Sequence, residues 1–89
     1  MATNYKCPVC GYPELSEPSY DDFDCPSHEI CPSCGTEFGY DDAAKDVSLR
    51  QAKWRSLREK WVSSGMKWFS RYDPIPNGWD PMKQVASVS

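Results

Sequence analysis

Two stretches of the chain carry the same phrase: Lys6–Gly11 reads KCPVCG and Ile30–Gly35 reads ICPSCG. Cys7 and Cys10 form one pair, Cys31 and Cys34 the other, with twenty residues between Cys10 and Cys31. Two residues between thiols let both sulfurs point to one side of a tight turn. Pro8 and Pro32 pre-set the backbone at the turn's first inner position. Gly11 and Gly35 supply the positive φ that leads the chain away from the sulfurs. Each phrase is thus half of a tetrahedron, and two copies close it. C-x2-C, about twenty residues, C-x2-C is the spacing of a four-thiolate zinc site. The competing reading, a disulfide scaffold, requires an oxidising compartment.

The rest of the composition asks for such a staple. The chain has 89 residues, 39% of them hydrophobic, with 8 Pro and 5 Cys, and a mean hydropathy of −0.70. A domain this small buries proportionally little surface and commonly adds disulfides, a metal or a partner. No apolar run is long enough to cross a membrane. The first residues lack the basic and apolar blocks of a secretory signal. The expectation is therefore a cytoplasmic protein with no membrane partner, its paired cysteines holding metal.

Zinc is the expected ion, one per chain, with iron as the other metal that suits a thiolate tetrahedron. The leftover Cys25 and the single His28 lie in CPSHEICPSC and are alternative ligands: either could replace one thiolate in a Cys3His set. Otherwise Cys25 packs as a small apolar residue and His28 is a nearby donor or simply exposed.

Charge divides the chain. Residues 1–46 hold ten acidic and two basic residues, a net of −8, whereas residues 47–89 hold eight basic and three acidic, a net of +5. Either the halves attract one another within the monomer, or the acidic half faces a basic partner. We accordingly expect one domain with two parts: a double-knuckle metal-binding region over 1–46, and a helix with an aromatic tail over 47–89. The fold class is small metal-stapled α+β. Short strands are expected beside each knuckle, at Asn4–Lys6 and at Ile30 with Thr36–Phe38.

The second half starts with a capping box, Ser48 with Gln51, followed by a stripe of Val47, Trp54, Leu57 and Trp61. Asp41, Asp42 and Asp46 precede it, where the helix dipole favours negative charge. Gly65 fits the position just past the end. Ser48–Ser64 therefore reads as one amphipathic helix. After it comes MKWFSRYDPIPNGWDPMKQ, irregular and aromatic, whose rings either cover the core or form a binding patch. Val85–Ser89 is expected to fray.

The residues also carry resemblances. YKCPVCGY with the later CPSCG resembles the knuckles of rubredoxins, iron electron carriers, over the knuckles alone. YKCPVCGYPELSEPSYDDFD followed by EICPSCGTEFGYDDA resembles the small bacterial cysteine-rich CPCC proteins, over about half the chain. That resemblance implies a zinc-ribbon-like metal site at Cys7, Cys10, Cys31 and Cys34. Val9 departs from the pattern, standing where the family tends to carry a third cysteine.

Function classes narrow accordingly. A closed four-ligand site has no open position for catalysis, and no catalytic motif accompanies it. No enzyme is expected. A nucleic-acid-binding zinc ribbon is an alternative that a pI of about 5.0 disfavours. A rubredoxin-like electron carrier is a more distant one. The favoured expectation is a protein-interaction module, by analogy a small acidic protein neutralising a basic partner such as a toxin. Its partner-binding residues would be Glu17, Tyr20, Asp21, Asp22 and Phe23 in the acidic loop, with Trp68 and Trp79 in the tail.

Overall fold

The computed structural model describes residues 4–89. Two helices follow the cysteine-rich half, α1 at Val47–Ser63 and α2 at Pro81–Ala86. The expected strands shrink to isolated antiparallel bridges, Tyr5 with Leu15, Tyr20 with Pro26, and Ile30 with Glu37. The first and third clasp the two cysteine turns at their bases. The second closes the acidic loop, where the prolines leave no room for a longer ladder.

Helix α1 is capped two residues earlier than expected. Asp46, not Ser48, is the N-cap, and its carboxylate accepts from the Leu49 amide at 2.9 Å. Asp caps as well as Ser does, so the earlier residue takes the role. At the other end Ser64 donates its amide to the Lys60 carbonyl, and Gly65 follows at φ +103°, the left-handed conformation expected of it.

The buried stripe of α1 also differs from the expected one. Val47 is exposed; the inward residues are Arg50, Trp54, Leu57 and Trp61. Arg50 occupies the top of the stripe because its charge is answered there. It makes a two-pronged ion pair with Asp24, at 2.7 Å and 2.8 Å, and its guanidinium lies 3.7 Å over the Tyr20 ring. A long side chain can bury its stem and stack its planar head in this way.

Helix α2 was not expected at all. Asp80 caps it, accepting from the Met82 and Lys83 amides, and Pro81 opens it, both standard start signals. Its Val85 packs against the core instead of fraying. The tail divides: Trp68 and Trp79 are half-buried, whereas Phe69 and Tyr72 are exposed. Trp79 stands 5.2 Å from Trp68 and 6.5 Å from Trp61, ring centre to ring centre. Tyr12 meets Trp68 edge-on at 5.7 Å. The tail thus folds back on the first cysteine turn through α1.

Candidate metal centre

The two cysteine turns are the same structure built twice. In the first, the Cys7 amide donates to Tyr12 O at 2.8 Å and the Gly11 amide to Cys7 O at 2.9 Å. In the second, Cys31 N donates to Thr36 O at 3.0 Å and Gly35 N to Cys31 O at 2.8 Å. Gly11 and Gly35 sit at φ +85° and +80°. The repeated phrase therefore produces repeated backbone geometry, and both turns aim their thiols at one point.

At that point the four sulfurs lie within 4.8 Å of one another. Cys7 Sγ is 3.8 Å from Cys34 Sγ, and Cys10 Sγ is 3.7 Å from Cys31 Sγ. A regular tetrahedron with metal–sulfur bonds of about 2.3 Å has edges of about 3.8 Å. A disulfide would need its sulfurs at about 2.05 Å, and all the cysteines are free thiols. The cluster fits a tetrahedral thiolate-bound ion: the four cysteines are positioned to bind a metal.

Electrostatics point the same way. Hydrogen bonds from the Cys10, Cys31 and Cys7 thiols, with help from Thr36, hold Cys34 well below the usual thiol range. Hydrogen bonding with Cys10 pushes Cys7 and Cys31 well above it, and burial adds to the rise. A bound cation would supply the positive charge that lets the other thiols ionise. Two contacts suit that state: the Val9 amide 3.4 Å from Cys7 Sγ, and the Thr36 hydroxyl 3.3 Å from Cys34 Sγ.

Each turn is braced from the second half of the chain. Arg58 of α1 donates from Nε to Val9 O at 2.8 Å and from Nη2 to Pro8 O at 2.9 Å. The amides of Phe69 and Ser70 donate to Pro32 O at 3.1 and 2.9 Å. Gln84 of α2 joins the two turns: its Nε2 donates to Ser33 Oγ at 2.9 Å and to Cys10 O at 3.3 Å. Its Oε1 accepts from the Trp79 indole at 2.8 Å.

A further brace is Asp42, which is fully buried. Its carboxylate accepts from Tyr20 OH at 2.9 Å, the Gly39 amide at 2.7 Å and the Trp54 indole at 2.7 Å. These three donors are what make an interior carboxylate tolerable. Desolvation, and then the bond to Asp42, push the Tyr20 phenol up to about 12. Asp42 was read as one of three acids upstream of a helix; no local pattern separates it from Asp41. Arg58 and Gln84 were likewise missed, because their partners stand 49 to 74 positions away in sequence.

The remaining candidates are placed as follows. Cys25 and His28 are exposed and lie outside the sulfur cluster, which comprises Cys7, Cys10, Cys31 and Cys34 alone among the described residues. Tyr20 is no free anchor, since its ring stacks on Arg50 and its hydroxyl is bound to Asp42. Asp21 shapes the loop by accepting from the Phe23 and Cys25 amides, each at 2.9 Å. Glu17 and Asp22 are exposed, and Phe23 is 87% exposed. Trp68 and Trp79 belong to the aromatic cluster described above.

The chain is thus a cysteine-rich protein with four thiols placed for one metal ion. No protein-family model matches it. It is 36% identical over 72 residues to the uncharacterized protein YoaQ of Bacillus subtilis (strain 168), an alignment covering 70% of this chain. The chain spans 60% of that relative's length. No solved structure matches. No helix among the described residues is long and apolar enough to cross a membrane.

Proposed function

We propose that the chain is a zinc-stapled protein-interaction module of the zinc-ribbon kind, which captures a basic protein through its acidic loop. The resemblance to CPCC-type proteins and the tetrahedral sulfur spacing support the metal half of this reading. Zinc is preferred to iron because a structural ion without redox chemistry fits a site braced on every side.

The observation that carries the interaction half is the state of Phe23. Its ring is 87% exposed, yet the backbone beneath it is held by the Asp21 side chain and by the Asp24–Arg50 ion pair. An aromatic ring carried on held backbone adds little backbone ordering cost on binding, which suits an interface anchor. Exposed Glu17 and Asp22 accompany it in the acidic loop and would speed the approach of a basic surface.

The test is affinity capture from the native cell extract, with and without nuclease treatment, using three baits: the native protein, Phe23→Ala, and Glu17→Lys with Asp22→Lys. Asp21 is left intact because it shapes the loop. The expected result is a basic protein retained by the native bait. Phe23→Ala should weaken it by about tenfold or more, and the charge reversal should slow its association. Equal capture by all three baits would remove the loop from the interface. Retention of nucleic acid with steep salt dependence would favour the nucleic-acid alternative.

A further inference from the structure

The four cysteines are not equally sheltered. Cys7, Cys10 and Cys31 are 0% exposed, whereas Cys34 is partly exposed. It lines two surface grooves, of about 780 Å³ and about 370 Å³, which share Cys34, Trp61 and Ser64. The larger groove runs between the second cysteine turn and the tail, past Trp68, Phe69 and Tyr72. One residue of an otherwise closed cluster therefore borders the surface on two sides.

We propose that Cys34 is a modification site, where a peroxide attacks the thiolate cluster and so releases its metal; this rests on the metal-binding reading above. The Cys34 thiolate attacks one oxygen of the peroxide. A sulfur–oxygen bond forms, the oxygen–oxygen bond breaks and, for hydrogen peroxide, hydroxide leaves. The sulfur is oxidised by two electrons to a sulfenic acid, and the peroxide is reduced. Cys7 Sγ, 3.8 Å away, then attacks that sulfur, forming a disulfide and expelling a second hydroxide. With two of its four ligands consumed, the ion has lost its tetrahedron.

Thr36 sets the rate. Its hydroxyl, 3.3 Å from Cys34 Sγ, donates to the thiolate and draws off charge that would otherwise drive the attack. The residue is nearly buried, so Thr36→Val keeps the shape and removes the donor.

The experiment uses zinc-loaded full-length protein carrying Cys25→Ser, which removes the exposed competing thiol. Native mass spectrometry first counts the metal. Substoichiometric hydrogen peroxide is then added, zinc release is followed with a chromogenic chelator, and a sulfenic-acid trap with peptide mapping locates the first modified cysteine. Cys34 should be modified ahead of Cys7, Cys10 and Cys31 by about tenfold, as its accessibility dictates. Release should track its loss, the product should contain a Cys7–Cys34 disulfide, and Thr36→Val should react several-fold faster. Metal-loaded protein whose four cysteines react evenly, or whose first trapped cysteine is another, overturns the proposal and leaves the metal reading intact. Protein that binds no metal at these cysteines overturns both.

Discussion

The two cysteine turns share a phrase, a hydrogen-bond pattern and a glycine at almost the same φ, and yet they live in different surroundings. The first is enclosed: its thiols are fully buried, Arg58 covers its carbonyls, and α2 lies against Gly11. The second is covered by softer parts, an exposed phenylalanine ring and two tail amides, and its last cysteine is only partly buried. Local sequence thus builds the ligand geometry, and distant sequence decides how well each half is protected.

The largest expected effect is removal of whatever unites the halves. Leu15, Val9 and Phe38 are the largest fully buried apolar side chains, worth about 1.5–3 kcal/mol each on burial. A structural zinc supplies on the order of 10 kcal/mol. A bound structural ion would therefore outweigh any one of these side chains several-fold. Chelation should unfold both turns together, with red-shifted tryptophan fluorescence and loss of the α1 circular dichroism signal. A chelated protein that keeps its native fluorescence would show that the braces suffice alone.

Glycine substitutions separate the halves more finely. Alanine at either turn takes on left-handed strain of about 1–2 kcal/mol. A Cβ at Gly11 would also press on the Gln84 carbonyl of α2 and on Ser87 Oγ just past its end, whereas at Gly35 it would meet the Phe69 ring. The backbone of a helix cannot step aside; a ring that is 57% exposed can. Gly11→Ala should therefore lose an additional 1–3 kcal/mol or so from overpacking, and Gly35→Ala little beyond its strain. Denaturant melts of the metal-loaded proteins measure both, and equal losses would mean that the two turns are equally well enclosed.

What the sequence disclosed follows the same division. The ligand set and the turns were legible because each depends on five neighbouring residues. Helix α1 was legible from Trp54, Leu57, Trp61 and Gly65, which repeat at helical spacing. Its cap was misplaced because Asp46 and Ser48 are both good caps two positions apart. Helix α2 carried a readable signal, Asp80 followed by Pro81, but six residues are too few to show a stripe. Arg50, Asp42 and Arg58 carry no local signal of their buried roles, since composition cannot say which charge will meet its partner inside. The loop shows the same limit: the Tyr20 ring and hydroxyl are taken up by Arg50 and Asp42, contacts that no local pattern announces.

The smallest expected effect concerns how each turn is tied to α1. The first is tied by Arg58, whose guanidinium stays charged throughout the accessible pH range. The second is tied through Asp42, with the Tyr20 phenol as one of its donors, and a phenol can be titrated. Tyr20 is raised from 10.0 to about 12, so the folded state holds its proton after the unfolded chain has released it. The contribution is complete below pH 10 and fades as pH climbs through 12, because folding then requires either keeping a proton against the solvent or burying a phenolate beside Asp42. Tyr20→Phe deletes the donor. It should cost about 1 kcal/mol at neutral pH, the usual net worth of such a bond, and should flatten the alkaline decline in stability. Denaturant melts across that window, with phenolate absorbance reporting ionisation, measure the slope directly. If the variant loses stability with pH as steeply as the native protein, the Tyr20–Asp42 link is not what ties the second turn to the helix.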